Sequence, residues 1–207
     1  MKLAGVVDIE TPLHGMIYNI DGSLTYFIKR FDRVSRNQKV GTEDFSQLLG
    51  FSRDTKYDSS MEKVVSVLEK HCTFPVLEKI KLFRLVIFNF LVGNEDMHLK
   101  NFTLIRQKDK TELSPAYDLL NTTIVLNSKE EIALPIRGKK SKLTRSDFFD
   151  YFGSERLGLS KQVLEKEFVR FEKAIGSWQE LLEKSFMSEK MKNRYRALIL
   201  TRWERLK

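Results

Sequence analysis

The sequence predicts a mainly α-helical fold with a small β component, and three observations carry that expectation. In the second half of the chain Leu164, Phe168, Phe171, Ile175, Trp178 and Leu182 recur at steps of four and three, the period of a helix with one apolar face. Residues Leu85–Leu91 are apolar on nearly every side except at Asn89, as in a helix enclosed by other helices. Compact apolar runs bounded by turn residues occur only near residues 15–31 and 102–136, which leaves room for a few short strands.

In chain order, a short helical remnant leads into Gly15–Tyr18 and Leu24–Ile28, joined across Asp21-Gly22, a strong hairpin turn signal. A polar loop from Ser35 to Gly41 follows, and a helix is expected to open at Glu43-Asp44 and stop at Gly50. Ser59-Ser60 offers an N-cap for a helix carrying Val64, Val65, Val67 and Leu68. Pro75 suits the first turn of the next helix, about Val76 to Leu91, which Gly93 ends. A polar run, Asn94–Asn101, separates that helix from a strand at Phe102–Ile105, a turn at Lys108–Lys110 and a return through Leu113. A further strand is expected at Ile132–Ile136, a helix capped at Thr144–Asp147, one long helix from Val163, and a last helix from Ser188 past Trp203.

The chain of 207 residues carries 36 Lys and Arg against 28 Asp and Glu, a formal charge of +8. That excess suits either an attraction to tRNA, a membrane surface or an acidic protein, or simple solubility. No arginine-rich block with interleaved aromatics marks a nucleic-acid surface. The single cysteine, Cys72, excludes an intrachain disulfide, suits a reducing compartment and reads as a structural, partly buried residue. The first ten residues are charged too early for a signal peptide, and Leu82–Val92, with Arg84 and Asn89, is too short and polar to span a membrane. A cytoplasmic protein is expected.

The polar run after the enclosed helix carries the chemistry. Phosphoryl transfer needs a carboxylate to orient the attacking hydroxyl and take its proton, and oxygen ligands for magnesium on the phosphates. Protein kinases supply an Asp, an Asn after four intervening residues, and a second Asp beyond a short hairpin. Asp96 and Asn101 have that spacing, and Asp118 follows the hairpin. Taken singly, each has a structural reading: Asp96 as a cap, Asn101 as a turn residue, His98 as a core histidine, Asp118 as a strand end. Together they require three coincidences of spacing.

The runs Gly93–Phe102 and Ser114–Leu119, with Arg30–Arg33 and Glu43–Gly50, resemble the corresponding segments of HipA-like serine/threonine kinases, in order along essentially the whole chain. The resemblance implies a protein-kinase-like C-terminal lobe, with residues 1–33 as a remnant of the upper lobe and hinge hairpin and 34–207 as the helical catalytic lobe. It implies ATP as co-substrate and Mg2+ as cofactor. Asp96 would be the catalytic base, and Asn101 and Asp118 would hold the metal. Lys29, Arg30, Phe31, His98, Lys100, Asn101, Tyr117 and Asp118 would contact the nucleotide, residues 29–31 as the hinge. Asp32, Arg33, Asp44 and Gln47 would brace the fold. Such kinases are bacterial toxins paired with a DNA-binding antitoxin, and their best-known protein targets are aminoacyl-tRNA synthetases.

Members of this family place a glycine-containing phosphate loop and a strand lysine before the segment seen here, and Met1 falls within the pattern. The expectation is therefore a lobe inactive alone: a shortened gene, an isolated C-terminal lobe, or a split kinase whose first part is a separate N-terminal segment. The alternative is a non-catalytic binding module that keeps the fold. A metal-dependent phosphodiesterase is a weaker third reading, because only His14, His71 and His98 are available as imidazole ligands.

Overall fold

The computed structural model describes residues 1–126 and 129–207. Seven α-helices and five strands follow in the order α1 (Lys2–Val6), β1 (His14–Tyr18), β2 (Leu24–Ile28), β3 (Gly41–Asp44), α2 (Phe45–Leu48), α3 (Met61–His71), α4 (Pro75–Val92), β4 (Thr103–Gln107), β5 (Lys110–Leu113), α5 (Thr123–Leu126), α6 (Lys161–Glu183) and α7 (Glu189–Glu204) among the described residues. A 3-10 turn at Leu99–Asn101 and a π-helical segment at Asp147–Arg156 complete the list.

Helix α4 is the axis of the molecule. Leu82, Phe83, Phe90 and Leu91 have no exposed surface, and Phe88 packs edge-on against Trp178 of α6 at 5.7 Å. The one charge on its inner half, Arg84, is not left unpaired: its guanidinium makes two bonds to Glu167 of α6, at 2.7 and 2.8 Å, and one to the carbonyl of Asp8. A buried charge needs such full pairing to be tolerated. Trp178 also donates its indole N–H to Leu3, so that α1, with Ala4 and Val7 fully buried, is clasped to α6. Gly93 ends α4 in the left-handed conformation, φ +77°, and a side chain there would meet Leu198 at 2.6 Å and Thr123 at 2.9 Å. Glycine is required by both conformation and space.

Strands β3, β4 and β5 form one antiparallel sheet in that order, while β1 and β2 form a separate two-stranded hairpin with Gly22 in the turn at φ +79°. The hairpin is apolar yet exposed: Met16, Ile17, Tyr18, Leu24, Tyr26, Phe27 and Ile28 are all open to solvent.

Three expectations need correction. Glu43-Asp44 belongs to strand β3, paired with Leu104 and Thr103, and helix α2 starts only at Phe45. Asp44 is its N-cap, in a reciprocal capping box with Gln47, so the acid marked the helix start correctly but stands one step outside it. Residues Ile132–Ile136 form no strand: Pro135 has no N–H to give, its carbonyl accepts from Met61, and Ile136 makes a single bridge to Lys139. The helix capped by Thr144 and Asp147 exists but is π-helical, with the Leu157 N–H reaching back five residues to Phe152. Its widened turns bury Phe148, Phe149, Phe152 and Gly153 together, with Phe148 against Phe90 at 4.7 Å.

Candidate active site

The polar run Asn94–Asn101 is largely buried: Asn94, Met97, His98, Leu99 and Asn101 are each less than a tenth exposed. Its order comes from the helix before it. Asn89, the only uncharged polar residue in the apolar half of α4, donates to the Leu85 carbonyl at 2.7 Å and accepts from Asn94 at 2.8 Å. The Asn94 amide also reaches the Asp118 carbonyl, and its oxygen accepts the Asp96 N–H, both at 3.2 Å. One asparagine therefore joins α4, the loop and the segment after the hairpin.

On the other flank Glu95 is gripped by the Thr122 and Thr123 hydroxyls, the Gly93 carbonyl accepts the Thr122 and Thr123 N–H groups, and Arg202 of α7 comes within 4.0 Å of Glu95. Arg202 is buried and donates to the Phe90 carbonyl at 2.5 Å; burial depresses its pKa, while Glu131 and Glu95 oppose that effect.

Asn101 and Asp118 meet directly, the amide donating to Asp118 Oδ2 at 2.8 Å, while Asn101 Oδ1 accepts the His98 N–H at 3.2 Å. Asp118 sits at φ +55°, in the left-handed region that is strained for a residue with a side chain. Among the described residues the Asp96 carboxylate has one hydrogen-bond partner, the Tyr57 hydroxyl, which donates to Oδ1 at 2.5 Å. Burial and the Asp96 carboxylate push the Tyr57 phenol up to about 12, so it stays a donor at neutral pH. His98 is lowered from its ordinary value by burial and by the Lys56 ammonium, which lies 2.7 Å from Nε2, against the opposite pull of Asp96 and Asp118.

The other expected nucleotide residues gather a short way off. Lys29, Arg30, Phe31, Lys100 and Tyr117 line one cavity of about 330 Å3, together with Asp44 and Gln47. Phe31 stacks on Tyr117 with ring centres 5.4 Å apart, and Lys100 is held by Asp44 at 2.8 Å. The Tyr117 hydroxyl donates to the Lys100 carbonyl and bonds Thr103 at 2.6 Å, and burial raises its pKa. Arg30 turns back to Asp32 at 2.5 Å on the exposed rim. The cavity wall therefore holds five of the nine expected residues. Asp96, His98, Asn101 and Asp118 form the adjoining polar cluster.

As a magnesium site, Asp118 and Asn101 would each offer a hard oxygen donor of the kind this ion takes; in the structure Asn101 Oδ1 accepts the His98 N–H and the amide donates to Asp118. Among the described residues no group of three or more His, Cys, Asp or Glu is placed to hold a metal.

Sequence reasoning passed over Lys56 and Tyr57, whose bonds to His98 and Asp96 span 42 and 39 residues. The signal available was an aromatic beside a cation in an otherwise small polar stretch, Ser52–Ser60. Cys72 is buried, its thiol pushed up to about 12 by burial and the acids near it, as expected of a structural residue.

The comparisons with known proteins place the fold in a family. The family model described as the HipA-like C-terminal domain matches residues 1–193. Y4dM of Sinorhizobium fredii is 43% identical over 110 residues, covering 52% of this chain and 26% of that protein. The serine/threonine-protein kinase toxin HipA of Shewanella oneidensis is 29% identical over 129 residues, covering 53% of this chain and 30% of that protein. The structure of the HipA, HipB and operator DNA complex from Shewanella oneidensis MR-1 superposes with a TM-score of 0.82 at 21% identity, over 99% of this chain and 54% of that one. The chain thus spans between about a quarter and about a half of the length of these proteins.

Proposed function

The chain belongs to the HipA-like C-terminal domain family, and from that premise we propose that it is the catalytic lobe of an ATP-dependent serine/threonine protein kinase of a toxin–antitoxin system. The observation that carries this reading is that Asn101 of the polar loop bonds Asp118 and Tyr57 holds one oxygen of Asp96 in the same loop, next to a cavity lined by Lys100 and Tyr117.

Asp96 orients the acceptor hydroxyl and takes its proton as the hydroxyl oxygen bonds to the γ-phosphorus; ADP leaves with the electron pair of the broken bond. Asn101 and Asp118 would hold Mg2+, which would offset charge on the phosphate oxygens. Lys100 and His98 are assigned to the phosphate side, and Lys29–Phe31 with Tyr117, which line the cavity together with Lys100, take the base and sugar side.

A glycine-rich phosphate loop is absent from the 207 residues. The 207-residue polypeptide by itself is therefore proposed to bind ATP–Mg2+ weakly and to need a further N-terminal segment, joined or separate, for transfer. The exposed apolar hairpin β1–β2, within the proposed upper-lobe remnant 1–33, is the surface on which that segment docks. Two strands alone are marginal, and their open edges and apolar faces favour added strands. The same hairpin is what favours the second reading, a partner-binding module without catalysis.

A DNA-binding antitoxin is the proposed partner, since the matching HipA structure is a complex with HipB and operator DNA. A protein such as an aminoacyl-tRNA synthetase is the proposed substrate class. No helix among the described residues is long and apolar enough to cross a membrane, and a cytoplasmic location is proposed.

Radiolabelled phosphate transfer and isothermal titration, on the chain complemented by the N-terminal segment of its own locus, test the proposal. Activity should appear on complementation. Asp96→Asn should abolish it with nucleotide binding kept, and Asp118→Asn should lose magnesium-dependent binding. Equal activity in wild type and Asp96→Asn would remove the base assignment, and tight ATP binding by the uncomplemented chain would contradict the need for a second segment.

A further inference from the structure

The segment Phe51–Asp58 lies against the catalytic loop and is fastened at its start. The Ser46 hydroxyl holds the Phe51 carbonyl at 3.0 Å, and a turn closes between the Asp58 N–H and the Thr55 carbonyl at 2.9 Å. From this strap three bonds reach the loop: Leu99 N–H to the Lys56 carbonyl at 3.3 Å, Lys56 Nζ to His98 Nε2 at 2.7 Å, and the Tyr57 hydroxyl to Asp96 Oδ1 at 2.5 Å. The Tyr57 ring stands edge-on to the His98 ring with centres 5.1 Å apart, and the Lys56 ammonium lies 4.9 Å over the Tyr57 ring.

An ammonium has donors and no acceptor. At 2.7 Å it must give its hydrogen to Nε2, so Nε2 is the bare nitrogen of His98 and the ring proton is on Nδ1. That Nδ1 is buried and has no hydrogen-bond partner among the described residues. Tyr57, likewise, takes one oxygen of Asp96; the other oxygen is bonded by no described residue.

We propose that Lys56 and Tyr57 are positioning residues for phosphoryl transfer: Lys56 sets the His98 tautomer with its proton on the enclosed Nδ1 and so holds that ring, and the loop that carries it, in one arrangement, and Tyr57 fixes Asp96 through Oδ1 so that Oδ2 meets the acceptor hydroxyl. This rests on the kinase reading of Asp96. Neither residue exchanges a proton: the acceptor's proton passes to Asp96 Oδ2, Tyr57 keeps its own, and the Lys56 ammonium stays a donor throughout. The strap thus does for the loop what an outer carboxylate does for a metal-bound histidine, setting a ring's tautomer from the side away from the chemistry.

Two measurements on the 207-residue chain need no activity. Nitrogen-15 spectra of histidine-labelled protein should show His98 as the Nδ1–H tautomer in wild type and in Lys56→Arg, and a mixed or reversed tautomer in Lys56→Met. A low-field hydroxyl proton should be present in wild type and vanish in both Tyr57→Phe and Asp96→Ala. A wild-type His98 protonated on Nε2 would overturn the Lys56 role, and absence of the hydroxyl signal would overturn the Tyr57 role.

In the complemented chain, Lys56→Met and Tyr57→Phe should each lower kcat by about 100-fold, with KM for ATP and the melting temperature unchanged. Lys56→Arg should restore most of the rate. If Asp96→Asn abolishes transfer while Tyr57→Phe and Lys56→Met keep the wild-type kcat, the positioning proposal fails and the kinase reading stands. If Asp96→Asn remains active, the kinase reading fails on its own count.

Discussion

The hairpin β1–β2 and the loop Asn94–Asn101 reverse the usual division between surface and interior. The hairpin is rich in Ile, Tyr, Phe and Leu and stands in water; the loop is made of Asn, Glu, Asp, His and Lys and is mostly enclosed. Buried polar groups persist when most donors and acceptors are matched, and the Asn89–Asn94–Asp118 chain does much of that matching for the loop, His98 Nδ1 being left without a partner among the described residues. Exposed apolar sheet persists when a partner covers it. The contrast separates a part of the molecule satisfied by its own contacts from a part whose covering partner is a proposal.

Substitutions on either side should break that contrast unequally. The largest loss is expected beneath the loop. Phe90 is fully buried, touches Phe148 and carries Arg202 5.1 Å from its ring, so Phe90→Ala should cost about 3–5 kcal/mol in denaturant unfolding. A loss below about 1 kcal/mol would mean that α4 does not hold the loop in place.

Next comes the polar bridge itself. Asn94→Ala leaves the Asn89 oxygen, the Asp118 carbonyl and the Asp96 N–H without their partner and should cost about 1–3 kcal/mol. The same variant should expose the Asp96 and Asp118 amides to faster hydrogen exchange, and unchanged exchange would show that the helix and backbone bonds suffice. The smallest effect is expected on the hairpin. Ile17→Ser with Phe27→Ser should change the stability of the 207-residue chain by less than about 0.5 kcal/mol, the range of ordinary surface changes. It should nevertheless abolish pull-down of the complementing segment; retained capture would place the docking surface elsewhere.

Much of the loop was legible because its logic is local. Gly93 after an apolar helix, the Asp96–Asn101 interval and the hairpin before Asp118 are all sequence distances, and the backbone realises them directly. Asn89 was visible only as an interruption; its task of holding Asn94 depends on the left-handed turn at Gly93 bringing residue 94 back beside it. Lys56 and Tyr57 could not be found by interval, since nothing in a sequence states that a strap 39 residues upstream will lie over Asp96. Strand β3 was hidden for a related reason: its four residues gain their edge from β4, about 60 positions later, and the capping signal at Asp44 spoke more loudly than the pairing. The π-helical geometry of Asp147–Arg156 has no marker in a pattern of single residues.

Arg202 gives the site a place in time as well as in space. Its bond to the Phe90 carbonyl joins residues 112 apart, and its neighbours Glu95 and Thr123 flank Asp96 and the segment after Asp118. During synthesis α4 and the loop leave the ribosome long before α7 exists. At about 5–20 residues per second, the interval between Phe90 and Arg202 is roughly 6–20 s. For that interval the loop has its base, its asparagine and its histidine but lacks the cation that steadies their frame. A growing chain therefore carries a loop whose frame is completed only once α7 has formed.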